Sequence, residues 1–83
     1  MFSYVELNSD DRGYLNGMLF SDRNDAMARI HILRPESKNN TGSFFRAFLN
    51  SGFIGEYETE RDAVDSVLFL ANVRYAAGSL RMQ

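Results

Sequence analysis

Between Phe44 and Gly78 the sequence runs through two aromatic-rich stretches and one long apolar-periodic stretch, with turn chemistry at each junction. No other feature restricts the fold as much. Phe44 to Leu49 and Phe53 to Glu58 read as strands, and Asn50-Ser51-Gly52 reads as a three-residue hairpin loop with Gly52 in the left-handed position. Gly55 breaks the alternation so that Ile54 and Tyr57 both face inward, as a β-bulge allows. Thr59 followed by Glu60 and Asp62 is an N-cap with acids in the positive first turn of a helix. That helix is expected from about residue 60 to 77, with Gly78 as its stop.

The first half echoes this unit. Leu7-Asn8-Ser9 recurs as Leu49-Asn50-Ser51, Gly13-Tyr14-Leu15 as Gly52-Phe53-Ile54, and Asp25-Ala26-Met27 as Asp62-Ala63-Val64. Phe2 to Leu7 and Tyr14 to Phe20 read as strands, although Asn16-Gly17 has the composition of a tight turn. For residues 26–34 two readings compete. In a helix capped by Ser21 or Asp22, Ala26, Ile30 and Leu33 share a face before Pro35. In a strand, Ala28, Ile30 and Ile32 share one. The parallel with Thr59 to Leu70 favours the helix. The expectation is one α+β domain over residues 1–83, an antiparallel sheet with two helices on one face, in ββα-ββα order. Its repeats would be 2–35 and 44–78, joined by a linker, 36–43, that lacks apolar anchors.

Composition limits function. A chain of 83 residues, 45% hydrophobic and 24% charged with one Pro, suits a small folded domain. The absence of Cys excludes a disulfide scaffold, a thiolate nucleophile and a Cys-based zinc site, and favours an intracellular, cytoplasmic setting. The longest apolar run, Val67 to Ala71, is far too short to span a membrane, and the N-terminus has no basic region followed by an apolar core. The net charge of −2 is unevenly spread. Arg29, Arg34, Lys38 and Arg46 against Glu36 make 29–46 basic, whereas Glu56, Glu58, Glu60, Asp62 and Asp65 against Arg61 make 56–65 acidic.

Two candidate interaction surfaces emerge. On the C-terminal helix, Val64, Val67, Leu68, Ala71 and Tyr75 form one stripe, and Phe69, Leu70, Val73 and Ala77 form another nearly opposite. If the first stripe faces the sheet, with Val67, Leu68, Ala71, Ile54 and Phe45 in the core, the second needs its own cover. The first helix, a second copy in a homodimer, or a foreign protein would serve. Phe69, Leu70, Val73, Arg74 and Ala77 are the expected partner-binding residues, with Arg74 and Asn72 as a polar rim. The second surface is the basic segment, where Arg29, His31, Arg34, Lys38 and Arg46 are interleaved with Phe44, Phe45 and Phe48. It offers cations for phosphate and rings for bases, or contacts for an acidic partner.

Catalytic signals are missing. His31 is the single histidine, no Gly-x-Ser-x-Gly elbow accompanies it, and no phosphate-binding or dinucleotide glycine motif occurs. Asp22, Asn24 and Asp25 lack the Gly and Glu of a calcium loop, because Met27 and Leu33 occupy those positions. Asn39-Asn40-Thr41 fits the glycosylation sequon, which matters only for a secreted chain. No cofactor, metal or small-molecule substrate is inferred.

The segment Ile54-Gly55-Glu56-Tyr57-Glu58-Thr59 with Asp62-Ala63 resembles the strand-to-helix junction of AP2-type and integrase arm-type DNA-binding domains. Those domains end a three-stranded sheet with Leu-Gly-x-Phe-x-Thr-x-x-Glu-Ala and carry Arg and Trp on the strands that face DNA. The resemblance is confined to this junction and implies its local geometry. Only Arg46 matches the DNA-facing basic positions, and the junction here is acidic.

Together these observations favour a non-catalytic protein-binding module, an adaptor or inhibitor acting through the second helix stripe, with self-association as one way to cover that stripe. Phages and mobile elements direct compact acidic chains of this kind at host proteins. The alternative is a nucleic-acid-binding module using residues 29–46.

Overall fold

The computed structural model describes residues 1–3, 7–40 and 42–78. Five strands follow one another: β1 (Asn8–Ser9), β2 (Tyr14–Phe20), β3 (Met27–Leu33), β4 (Phe45–Leu49) and β5 (Gly52–Tyr57). Each pairs antiparallel with the next, giving one sheet in the order β1-β2-β3-β4-β5. A single helix, α1 (Glu60–Ala76), lies across one face, chiefly over β4 and β5. No helix among the described residues is long and apolar enough to cross a membrane.

The expected first helix is a strand. Residues 27–33 form β3, the centre of the sheet, with Ala28, Ile30 and Ile32 fully buried beneath α1 and Arg29 and His31 on the opposite face. Two β-branched isoleucines at alternate positions suit a pleated, two-sided strand better than a helix whose every third or fourth residue must be apolar. Ser21 also works differently from a helix cap. Its hydroxyl accepts from the backbone N–H of Asp25 and Ala26 and donates to Asp25 Oδ1, closing the β2–β3 turn, in which Asn24 has φ 56°.

The sequence echo is therefore not a structural duplication. Leu7-Asn8-Ser9 runs into β1, whereas Asn50-Ser51 is a turn; Asp25-Ala26-Met27 enters a strand, whereas Asp62-Ala63-Val64 lies in α1. Of the strand expected over Phe2 to Leu7, residues 4–6 lie outside the described residues, and Phe2 forms only an isolated antiparallel bridge with Ser21.

The second half folds as its chemistry requires. Thr59 Oγ1 accepts from Asp62 N–H at 3.0 Å, Glu60 and Asp62 occupy the first turn, and Gly78 at φ 76° ends the helix. The β4–β5 connection is tighter than expected. Asn50 (φ 50°) and Ser51 (φ 71°) are both left-handed, the signature of a two-residue type I′ turn, and Gly52 already belongs to β5. The bulge is present, with Ile54 as the extra residue between the pairs Phe48–Phe53 and Ala47–Gly55.

The core lies between sheet and helix. Leu15, Leu19, Ala28, Ile30, Ile32, Ala47 and Leu49 meet Ala63, Val64, Val67 and Ala71, and Phe2 closes one end. Of the expected core residues, Val67 and Ala71 are buried, while Leu68, Ile54 and Phe45 are half-buried against that cluster. The β3–β4 connection is less of a free linker than its composition suggests. Asn40 is buried, and its Nδ2 donates to the carbonyls of Leu33, Arg34 and Phe44 while Oδ1 accepts from Gly42 N–H. One amide supplies the anchor that an apolar side chain usually provides.

Candidate functional site

The sheet face away from α1 is the richest surface in chemistry. Cross-strand pairing aligns Tyr14 with Leu33, Asn16 with His31, Met18 with Arg29, His31 with Phe48, Phe48 with Phe53, and Arg46 with Glu56 on that face. The rings form a continuous row across four strands: Tyr14 to His31 at 4.9 Å between centroids, His31 to Phe48 at 5.8 Å, and Phe48 to Phe53 at 5.5 Å. Arg12 stacks over Tyr14 at 4.4 Å and Arg46 over Phe53 at 4.8 Å, so a guanidinium stands at each end.

Beside the row is an open concavity of about 480 Å³, lined by Tyr14, Arg29, His31, Leu33, Asn39, Arg46, Phe48 and Ser51. Asn50 fixes its Arg29 side: Asn50 Oδ1 accepts from Arg29 N–H at 2.8 Å, and Asn50 N–H donates to the Arg29 carbonyl at 2.9 Å. Arg46 Nε is shielded from solvent and has no hydrogen-bond acceptor; Glu56 Oε2 at 3.8 Å attracts its charge but lies beyond hydrogen-bonding distance.

His31 is held by a chain of polar groups. Asp10 Oδ1 accepts from the backbone N–H of Arg12 and Tyr14, and its Oδ2 accepts from Arg12 Nη2 and Asn16 Nδ2. Because Asn16 turns its amide nitrogen to that carboxylate, its Oδ1 faces His31 Nδ1. The ring therefore carries its proton on Nδ1 and keeps Nε2 as an acceptor. Burial pushes His31 below its usual pKa, the nearby Arg12 charge adds to this, and Asp10 partly opposes it. Arg12 and the surrounding N–H groups hold the Asp10 carboxyl well below the usual carboxylate range.

Of the expected basic residues, Arg29 and Arg46 meet at this concavity, whereas Arg34 and Lys38 belong to the β3–β4 connection and do not line it. Lys38 reaches the site through its backbone, whose carbonyl accepts from Tyr14 Oη at 2.6 Å. Phe45 faces the core, Phe44 lies in the loop and Phe48 is in the row. Sequence reasoning missed Arg12, Tyr14 and Phe53; only strand register brings them together with Arg46.

The second helix stripe faces outward. Phe69 is 71% exposed and Val73 48%, Ala77 and Arg74 are exposed, and Leu70 is half-buried. With β3 in place of a first helix, no other helix among the described residues covers it. Asn72 does not serve as its rim, because its amide holds the backbone of Phe2. In comparisons with known proteins, no family model matches the chain, and neither a curated protein nor a solved structure matches it.

Proposed function

We propose that the protein is a non-catalytic module that binds single-stranded nucleic acid on the sheet face opposite α1. The observation that carries this reading is the row of rings bracketed by arginines, lying where no helix among the described residues packs. Phe48 and the half-exposed Phe53 offer faces to successive bases, a contact worth about 1–3 kcal/mol per base. Arg29 and Arg46 line the concavity beside these rings, and Arg12, which also holds Asp10 at 2.8 Å, stands at the far end of the row. Three cations on a net acidic chain favour a short, unpaired strand over a duplex, whose recognition draws on many more phosphate contacts.

The test is fluorescence anisotropy with a labelled oligothymidylate. Binding should weaken with salt at a logarithmic slope of about 2, as expected for three single-strand phosphate contacts. Phe53→Ala and the double variant Arg29→Ala/Arg46→Ala should each weaken it at least tenfold. Affinity unchanged in both variants sinks the reading.

A second reading, favoured by the exposure of Phe69 and Val73, makes the outer stripe of α1 a protein-docking surface for an adaptor or inhibitor. Phe69→Glu should abolish association while leaving the melting temperature unchanged, since that side chain is outside the core. Unaltered partner capture or dimerisation would count against it. Either role suits a cytoplasmic protein.

A further inference from the structure

β5 is the last strand of the sheet, and among the described residues nothing pairs with its outer edge. Such an edge presents a row of unmatched backbone N–H and C=O groups that template pairing with another chain. Next to it runs a groove of about 400 Å³ between β5 and α1, lined by Ile54, Tyr57, Asp65, Ser66, Phe69 and Leu70. The bulge produces this groove, because with Ile54 as the extra residue both Ile54 and Tyr57 reach the helix side.

We propose that β5 receives an extended, basic segment of a protein partner as a sixth strand, with an apolar side chain of that segment seated in the groove against Phe69 and Leu70. This rests on the docking role of the outer stripe and names what it takes. Backbone pairing along an edge combined with a side-chain pocket beside it is a general mode of peptide recognition. Charge selects the occupant. Glu56, Glu58, Glu60, Asp62 and Asp65 crowd the junction of β5 and α1, against two bases, Arg61 at 3.7 Å from Asp65 and Arg46 at 3.8 Å from Glu56. A second copy approaching edge to edge brings two such acidic runs together, which opposes self-pairing. A strand alternating basic and apolar residues seats its apolar groups in the groove on the helix side and turns its cations to the opposite face, where Glu56 stands.

The probe is a capped synthetic peptide of alternating lysine and valine, with a glutamate–valine peptide as its counterpart. Binding is read by anisotropy and by amide hydrogen exchange on the full chain. The lysine peptide should bind and slow exchange of the β5 amides at least tenfold, and the glutamate peptide should do neither. Phe69→Ser, chosen because an added acid would itself attract the probe, should weaken binding at least tenfold with unchanged melting. Glu56→Gln should weaken it severalfold.

No binding at millimolar peptide overturns the proposal. Binding that Phe69→Ser weakens without any β5 protection overturns strand addition but leaves the stripe as a docking surface. Binding indifferent to Phe69→Ser removes both. Protection of β5 that rises with protein concentration alone, together with a doubled mass, assigns the edge to a second copy and overturns the choice of a basic partner.

Discussion

Asn72 treats Phe2 as a neighbouring strand would. The Phe2 N–H donates to Asn72 Oδ1 and Asn72 Nδ2 donates to the Phe2 carbonyl at 3.4 Å, so a side-chain amide on α1 meets both backbone groups of one residue. The Phe2 ring sits edge-on to Tyr75 at 5.2 Å, and Tyr75 Oη donates to Asp25 Oδ1 at 2.8 Å. The last turns of the helix are thereby tied to the N-terminus and to the β2–β3 turn.

Replacing Asn72 by Leu keeps the volume and removes both bonds. With the two backbone groups partly buried, the expected loss is about 1–3 kcal/mol. Urea denaturation measures it, and a midpoint within error of the parent would show that water substitutes for the amide.

Asn40 allows a sharper comparison. Asn40→Ala strips donors from the Leu33, Arg34 and Phe44 carbonyls, at an expected cost of about 1–3 kcal/mol. Asn40→Asp should be worse at neutral pH, since a carboxylate would face those same oxygens, and should recover part of the deficit in acid. Equal melting of the two variants at pH 7 would mean that the loop rearranges around the site.

Two glycines in β5 should respond oppositely to a methyl group. At Gly55 an added Cβ would lie 2.8 Å from Tyr57 Oη and 3.2 Å from Cζ, so the ring must leave the groove, at about 1–3 kcal/mol. At Gly52 the nearest neighbour is the Leu49 carbonyl at 3.4 Å and the backbone is not left-handed, so Gly52→Ala should be tolerated. Thermal melts of both variants decide this.

His31 makes stability depend on pH in a defined direction. Its folded pKa lies below the usual value of 6.5, so as pH falls the unfolded chain takes up the proton first. Stability is therefore complete above about pH 6.5 and declines below it until the folded ring also titrates. Asp10 and Asp25 are both held low, Asp25 by Tyr75 and Ser21, and their contributions fade as pH falls through the usual carboxylate value of 3.8 and below, in a separate window. His31→Gln should flatten stability between pH 5 and 7 and leave the more acidic loss intact. Oligothymidylate binding should tighten as pH falls below about 6.5 in the parent, through the added cation on the face, and not in the variant.

Local chemistry made the C-terminal unit legible. Thr59, Gly78 and the stripe of Val64, Val67 and Ala71 act within a turn or two of themselves, so the helix and its buried side could be read directly. Residues 26–33 were harder because Ala26, Ile30 and Leu33 satisfy a helical period while Ala28, Ile30 and Ile32 satisfy a strand. Pairing on both sides by β2 and β4 decided between them, and no local signal carries that information. The candidate site was half visible for the same reason. Arg29 and Arg46 stood in one basic segment, but Arg12 and Phe53 join them only through register, and Phe48, which could have been core, faces outward.

The strict succession of strands has a kinetic consequence. Because every strand pairs with the one before it, the sheet is assembled from contacts between chain neighbours, a topology that favours fast folding. Docking of α1 onto β3, and of Phe2 onto Asn72 and Tyr75, must span longer stretches of chain. The clasp between Phe2 and α1 is expected to close after the rate-limiting step. Phe2→Ala should therefore speed unfolding in stopped-flow measurements while leaving the refolding rate nearly unchanged. Slowed refolding would place the clasp in the nucleus.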